Sequence, residues 1–193
     1  MLNLKSAKKS KSILFGSWIT ISNTNILEIF TNYKFDWLCI DMEHSSIDLN
    51  DISNMTSIIE SNNIIPLVRI GEKDPNLIKR IMDCGAHGVI VADVRTYEEA
   101  KNIVDSVKYP PIGKRGVGLF KAQHYGKKFD EYKKWLLEES FIIPQIEHFE
   151  AIKNLNEILS LKDIDGIMVG PYDLSGSLGK PGNFEDKDYQ KYL

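Results

Sequence analysis

The chain has 193 residues, 42% hydrophobic and 26% charged, with a formal net charge of −3; this describes one ordinary soluble domain with a buried core rather than a fibre or a disordered tail. Charges of both signs are interspersed with no aromatic and basic platform, which gives no case for nucleic acid, and no apolar run approaches the ~20 residues that span a bilayer. Cys39 and Cys84 show no metal spacing and are expected as reduced, buried thiols of a cytoplasmic protein.

In chain order, the basic start "KSAKKSKS" (5–12) lacks a following apolar stretch and a cleavage site, and is expected as a solvated extension. The first strand is "ILFGSWI" (13–19), followed by the amphipathic stretch "NTNILEIFTNY" with Asn23 or Thr24 as cap. Strand "FDWLCID" (35–41) ends in Asp41, Glu43 and His44, and helix "LNDISNMTSIIESN" follows. Strand "IIPLVRI" (64–70) ends in Arg69; helix "DPNLIKRIMDCG" then begins with Asp74 and with Pro75 at its first position. Strand "GVIVADV" (88–94) brings Asp93, and "TYEEAKNIVDSV" is a helix capped by Thr96 with Glu98 and Glu99 in its first turn. The long irregular stretch "YPPIGKRGVGLFKAQHYGKKFDEY" (109–132) is expected as a functional loop over a site. Strand "FIIPQIE" (141–147) aims Gln145 and Glu147 to one side by its period of two. Helix "FEAIKNLNEILSL" and strand "DGIMVG" (165–170) follow, and the sequence stops at "DYQKYL" in what reads as a sixth helix.

Near-continuous apolar strands alternating with helices predict an α/β fold with a parallel sheet covered on its outer face. An open nucleotide-binding sheet would show a Gly-rich turn after its first strand, and "GSWITISNTN" has none. Polar and charged residues instead gather where successive strands end, as at the mouth of a TIM (β/α)8-type barrel. Only about six of the eight βα units of such a barrel are present. The expectation is therefore one domain over 1–193: a truncated barrel, or a shortened one whose edge strands are paired in an oligomer.

The strand ends suggest chemistry. Glu147 and Asp173, at the ends of neighbouring strands, offer hard oxygen ligands suited to Mg2+ or Mn2+ rather than to a structural zinc; the plain alternative is a pair of solvated loop acids. Gln145 would bond a ligand carboxylate or the barrel interior. Arg69 suits an anionic substrate oxygen or an enolate, alone or together with an internal ion pair to Asp41 or Glu43. His44 is the one histidine at a strand end and a candidate acid/base if Asp41, Glu43 or Asp83 orients it. Asp83, near a helix end, would reach it only across a subunit interface. Gly170 and Pro171 fix a turn that leaves the amides of Tyr172 and Asp173 available to a bound oxygen.

With "DMEHSS", "PLVRI", "PPIGKRGVG", "PQIE" and "VGPYDLSGSLG" in this order, the chain resembles the HpcH/HpaI aldolase/citrate lyase family, and most of all its class II, metal-dependent pyruvate aldolases. The resemblance implies a (β/α)8 barrel whose last two strands and last helix have no counterpart here. It also implies an enzyme that cleaves a 4-hydroxy-2-oxo acid to pyruvate and an aldehyde through an enolate. By that resemblance His44 is the acid/base, Arg69 the enolate-stabilising cation and Asp83 the acid that raises the basicity of the histidine. Glu147 and Asp173 are the ligands of Mg2+, Mn2+ or Co2+, and Gln145, Tyr172 and Asp173 contact the substrate. A homo-oligomer, trimer or hexamer, is implied, and no lysine stands at a strand end to form a Schiff base. The rival readings are a malyl-thioester or citrate-lyase type of lyase, and an inactive remnant acting as an interaction module.

Overall fold

The structure, a computed structural model, describes residues 13–192; the expectation for the basic start lies outside them. Six parallel strands pair in sequence order: β1 (Gly16–Ile19), β2 (Trp37–Asp41), β3 (Ile65–Ile70), β4 (Gly88–Val91), β5 (Phe141–Ile146) and β6 (Met168–Val169). The sheet curls into a half-barrel, and among the described residues no ladder joins β6 back to β1. The helices are α1 (Thr24–Thr31), α2 (Leu49–Ser61), α3 (Pro75–Asp83), α4 (Tyr97–Val107), α5 (Phe129–Glu139), α6 (Phe149–Lys153), α7 (Leu155–Leu159), α8 (Pro171–Ser177) and α9 (Lys187–Lys191).

Alternation along the strands sorts side chains onto two faces. Leu38, Ile40, Val68, Ile70, Val89, Val91 and Ile142 join Ile52, Ile59, Ile78, Ile81 and Ile103 of the helices in the main core. Their neighbours Cys39, Ile65, Leu67, Ile90 and Phe141, with Trp18, Trp37 and Ile143, form a smaller cluster on the concave face. That inner face stays apolar through most of each strand and turns polar at the C-terminal ends: Cys39 gives way to Asp41, Leu67 to Arg69, and Ile143 to Gln145 and Glu147. The capping predictions are met. Asn23, rather than Thr24, accepts from the amides of Asn25 and Ile26 at 3.0 and 3.1 Å, Asp74 caps α3 with Pro75 behind it, and Thr96 and Glu99 form a capping box on α4. Each such cap contributes about 1 kcal/mol.

Three expectations are corrected. The stretch 109–132 is neither wholly irregular nor placed over the mouth. It packs on the base, where helices end and strands begin: the buried Arg115 guanidinium bonds Asp83 at the end of α3 (2.5 Å) and the Tyr132 hydroxyl (3.0 Å), while Lys121 Nζ donates to the Ser53 carbonyl and Thr56 Oγ1, both at 2.6 Å. Burial lowers the Lys121 pKa and pushes Tyr132 up to about 12. The end of the stretch opens α5, whose Tyr132, Trp135 and Leu136 are buried at helical spacing. The helix expected over 149–161 is broken at Asn154 into α6 and α7.

Candidate active site

Asp41 and Arg69 are register partners at the ends of β2 and β3, so their side chains meet on the concave face. Arg69 Nε donates to Asp41 Oδ1 at 2.9 Å and an Nη to Oδ2 at 2.5 Å, the two-point geometry a guanidinium suits best. The guanidinium also lies 4.5 Å from the Trp18 ring centroid and 3.4 Å from Glu43 Oε2. The sequence left open whether Arg69 serves an internal ion pair; it does, and the guanidinium keeps further N–H donors.

Asp41 Oδ1 accepts as well from the amides of Glu43 (3.0 Å) and His44 (3.2 Å), so one carboxylate fixes both the cation and the loop that carries the histidine. Burial works against its ionisation, yet Arg69 and these amides hold its pKa below the usual value. Glu43 goes the other way: burial and the nearby Glu147 raise its pKa against the pull of Arg69. Its Oε2 is buried with no hydrogen bond and lies 3.9 Å from Nε2 of the exposed His44 ring. Of the three acids considered for orienting His44, Glu43 is the one the chain itself brings to the ring.

Glu147, just past β5, is 6% exposed. Its Oε1 accepts from the amide of Asp93 (2.6 Å) and its Oε2 from Gln145 Nε2 (2.5 Å). Gln145 Oε1 is buried with no hydrogen bond. A Cβ at residue 170 would lie 2.3 Å from Glu147 Oε2, so only glycine gives this carboxylate room beside β6. Pro171 opens α8 with Gly170 as its cap, and the amides of Tyr172 and Asp173 are first-turn amides without intrahelical acceptors.

A cleft of about 380 Å3 lies at this end of the sheet, lined by Glu43, His44, Asp93, Arg95, Glu147, His148, Asp173, Gly176 and Ser177. The structure thus brings together His44, Glu147 and Asp173. Arg69 stands behind Glu43, and Gln145 behind Glu147. Tyr172 is 68% exposed with its ring 5.1 Å from Phe184, which leaves its backbone rather than its ring for a ligand. Asp83 is elsewhere within the chain, held by Arg115 and, at 3.3 Å, Gln123. The sequence reading missed Arg95, His148 and Ser177 on the cleft wall.

A divalent cation fits the donors present. Glu147 and Asp173 are hard oxygen ligands, Glu147 keeps lone pairs beyond the two it uses, and the unbonded Gln145 Oε1 adds acceptor character. Among the described residues no group of three or more His, Cys, Asp or Glu forms a complete cage, so such a cation would complete its shell with water and ligand oxygens, as Mg2+ commonly does.

Residues 14–192 match the HpcH/HpaI aldolase/citrate lyase family. The hydroxypyruvate/pyruvate aldolase of Roseobacter denitrificans is 36% identical over 192 residues, covering 97% of this chain and 75% of the relative. The 2-keto-3-deoxy-L-rhamnonate aldolase of Salmonella gallinarum is 34% identical over 180 residues, covering 92% of this chain and 67% of the relative. In three dimensions the HpcH/HpaI aldolase from Desulfitobacterium hafniense DCB-2 superimposes with a TM-score of 0.89 at 28% identity, over 100% of this chain and 75% of that one. With a parallel half-barrel, a carboxylate-lined cleft at the strand ends and a match over nearly its whole length, the chain belongs to the HpcH/HpaI aldolase/citrate lyase family.

Proposed function

We propose that this chain is a divalent-metal-dependent aldolase that cleaves a 4-hydroxy-2-oxo acid to pyruvate and an aldehyde, working in the cytoplasm as a homo-oligomer with Mg2+, Mn2+ or Co2+. The observation that carries the reading is the meeting of Glu147, Asp173 and His44 on one cleft at the strand ends, in a chain whose relatives include aldolases.

Glu147 and Asp173 hold the cation, and Gln145 orients Glu147. The bound cation supplies a Lewis acid for the 2-oxo group of the substrate. His44 takes the proton of the 4-hydroxyl; the C3–C4 bond breaks, the aldehyde forms, and the electron pair stays with the pyruvate half. Arg69, fixed by Asp41, favours the negative oxygen of that half, and a proton returned to C3 completes pyruvate. The first-turn amides of Tyr172 and Asp173 receive the substrate carboxylate. Asp83 acts on His44 across an interface between copies, as an orienting acid.

The test is pyruvate release from a 4-hydroxy-2-oxo acid by the purified chain. EDTA is expected to abolish turnover and a divalent cation to restore it, while borohydride with pyruvate leaves the enzyme active. Turnover that survives EDTA and is lost to borohydride would replace this reading with Schiff-base chemistry.

A further inference from the structure

A cavity of about 240 Å3 lies at the base, between α2, the turn after α3, the long connection and α5, and the reaction above leaves it unused. Lys121 is half-buried on its wall. The Lys121 ammonium donates to the Ser53 carbonyl and to Thr56 Oγ1, both at 2.6 Å, so two of its three N–H donors meet neutral acceptors. Among the described residues it has no ion pair; Glu60 acts on it only from a distance. Glu60 is already engaged, its Oε1 3.2 Å from His87 Nε2. Gly85, at φ +98°, leaves room for the ammonium here: a Cβ at that position would lie 3.3 Å from Lys121 Nζ.

The opposite side of the cavity is planar and apolar. Trp135 stacks on Tyr132 with ring centroids 5.6 Å apart and meets the His87 ring at 4.7 Å. His87 is 4% exposed, and its Nδ1 has no hydrogen bond, so this wall also carries a polar atom without a partner. At the rim, His124 and Tyr125 take left-handed φ angles of +49° and +55° in succession, uncommon for residues with side chains and a form of strain that gathers at ligand clamps. The formal charges on the walls are Glu60 against Lys121, to which His87 and His124 add positive charge or none; Lys128 and Glu131 cancel in the adjoining hollow. In a cavity that is neutral to positive, the carboxylate is paired and the ammonium is not. A buried cation in that state calls for an anion that can give up its water.

We infer that this cavity is a binding site for a small carboxylate with a planar apolar body, its carboxylate on Lys121 Nζ and its body against Trp135. The site lies at the opposite end of the strands from the cleft, and the inference stands apart from the aldolase reading. The probes are benzoate and its neutral near-isostere benzamide, added to the purified chain with and without EDTA and followed by saturation-transfer NMR. Benzoate is expected to bind about tenfold or more tightly than benzamide, because a charge-assisted bond is the stronger kind, and EDTA should leave that ratio unchanged. Benzoate should also protect Lys121, and not Lys79, from acetylation by acetic anhydride, read by peptide mass spectrometry. In Lys121→Met the benzoate to benzamide ratio should fall towards one. Equal binding of the two probes, no binding of benzoate, binding that EDTA removes, or binding that leaves Lys121 open to acetylation overturns the site on the wild type alone, whether or not the variant folds. An unchanged ratio in a folded Lys121→Met overturns it as well.

Discussion

The mouth and the base of this half-barrel both contain buried ionic groups, but they solve different problems. At the base, Arg115 is enclosed by Asp83, Tyr132 and the Tyr109 ring, whose centroid lies 4.9 Å away, and His87 bonds Glu60 at 3.2 Å with the Trp135 ring 4.7 Å from its own. These contacts tie the long connection after α4 and helix α5 to the bottom of the sheet. The buried atoms left without hydrogen bonds at the base include the ring and guanidinium nitrogens His87 Nδ1 and Arg115 Nε, whereas at the mouth they are acceptors, Glu43 Oε2 and Gln145 Oε1, which stand behind a cleft crowded with carboxylates. Charge at the base is spent mainly on closure. Charge at the mouth is arranged so that something positive, or something that donates, completes it.

Mutations at the two ends should therefore fail differently. The largest effect is expected at the base: Arg115→Met leaves Asp83 without its main partner and should lower stability by about 3–5 kcal/mol, read by urea unfolding. At the mouth, Asp173→Asn should do the reverse, lowering kcat by about 100- to 1000-fold while moving stability by no more than about 0.5 kcal/mol. If Asp173→Asn unfolds the protein instead, the division between the two ends fails. Mixing His44→Ala and Asp83→Asn chains, each inactive alone, is expected to restore part of the activity if Asp83 serves a neighbouring copy; no recovery would confine Asp83 to its role at the base.

The acid limb sharpens the contrast further. The Asp41 carboxyl titrates below its ordinary 3.8 in the folded state, so its contribution is present above that value and is lost as pH falls through the lower folded one. Asp41→Asn should flatten this limb. Glu43 titrates above its ordinary 4.5, so its favourable contribution is present below that value and lost as pH rises through the raised one; Glu43→Gln should stabilise the fold at neutral pH and cease to do so in acid. The smallest effect is expected for Tyr172→Phe, about twofold or less in kcat/KM, because an exposed ring contributes its backbone amide to the site rather than its hydroxyl.

Much of this was legible in the sequence because two periodicities carry it. Period two along apolar runs marked the strands and put Gln145 with Glu147, and helical spacing between them forced parallel order. Asp41, Arg69, Glu147 and Asp173 could be gathered at one end because strand ends in such a fold share a rim. Where period failed, so did the reading. Gly and Pro in 109–132 announced a loop but not its location, although a connection that leaves the C-terminus of α4 must start at the base. The first turn of α5 was absorbed into that loop, despite the buried spacing of Tyr132, Trp135 and Leu136. Arg95 escaped because β4 ends at Val91 and the turn at Asp93, which aims both residues, depends on a backbone angle that side-chain pattern does not encode.

The two acids assigned to the cation hang from ladders of unequal length. Glu147 follows the six residues of β5, whereas Asp173 follows β6, which pairs through Met168 and Val169 alone. A short outer ladder opens more readily than a long inner one. Filling the cleft from both sides therefore also fastens the rim, and ligand occupancy should register as slowed amide hydrogen exchange at Val169 and Gly170, with the amides of β3 unaffected.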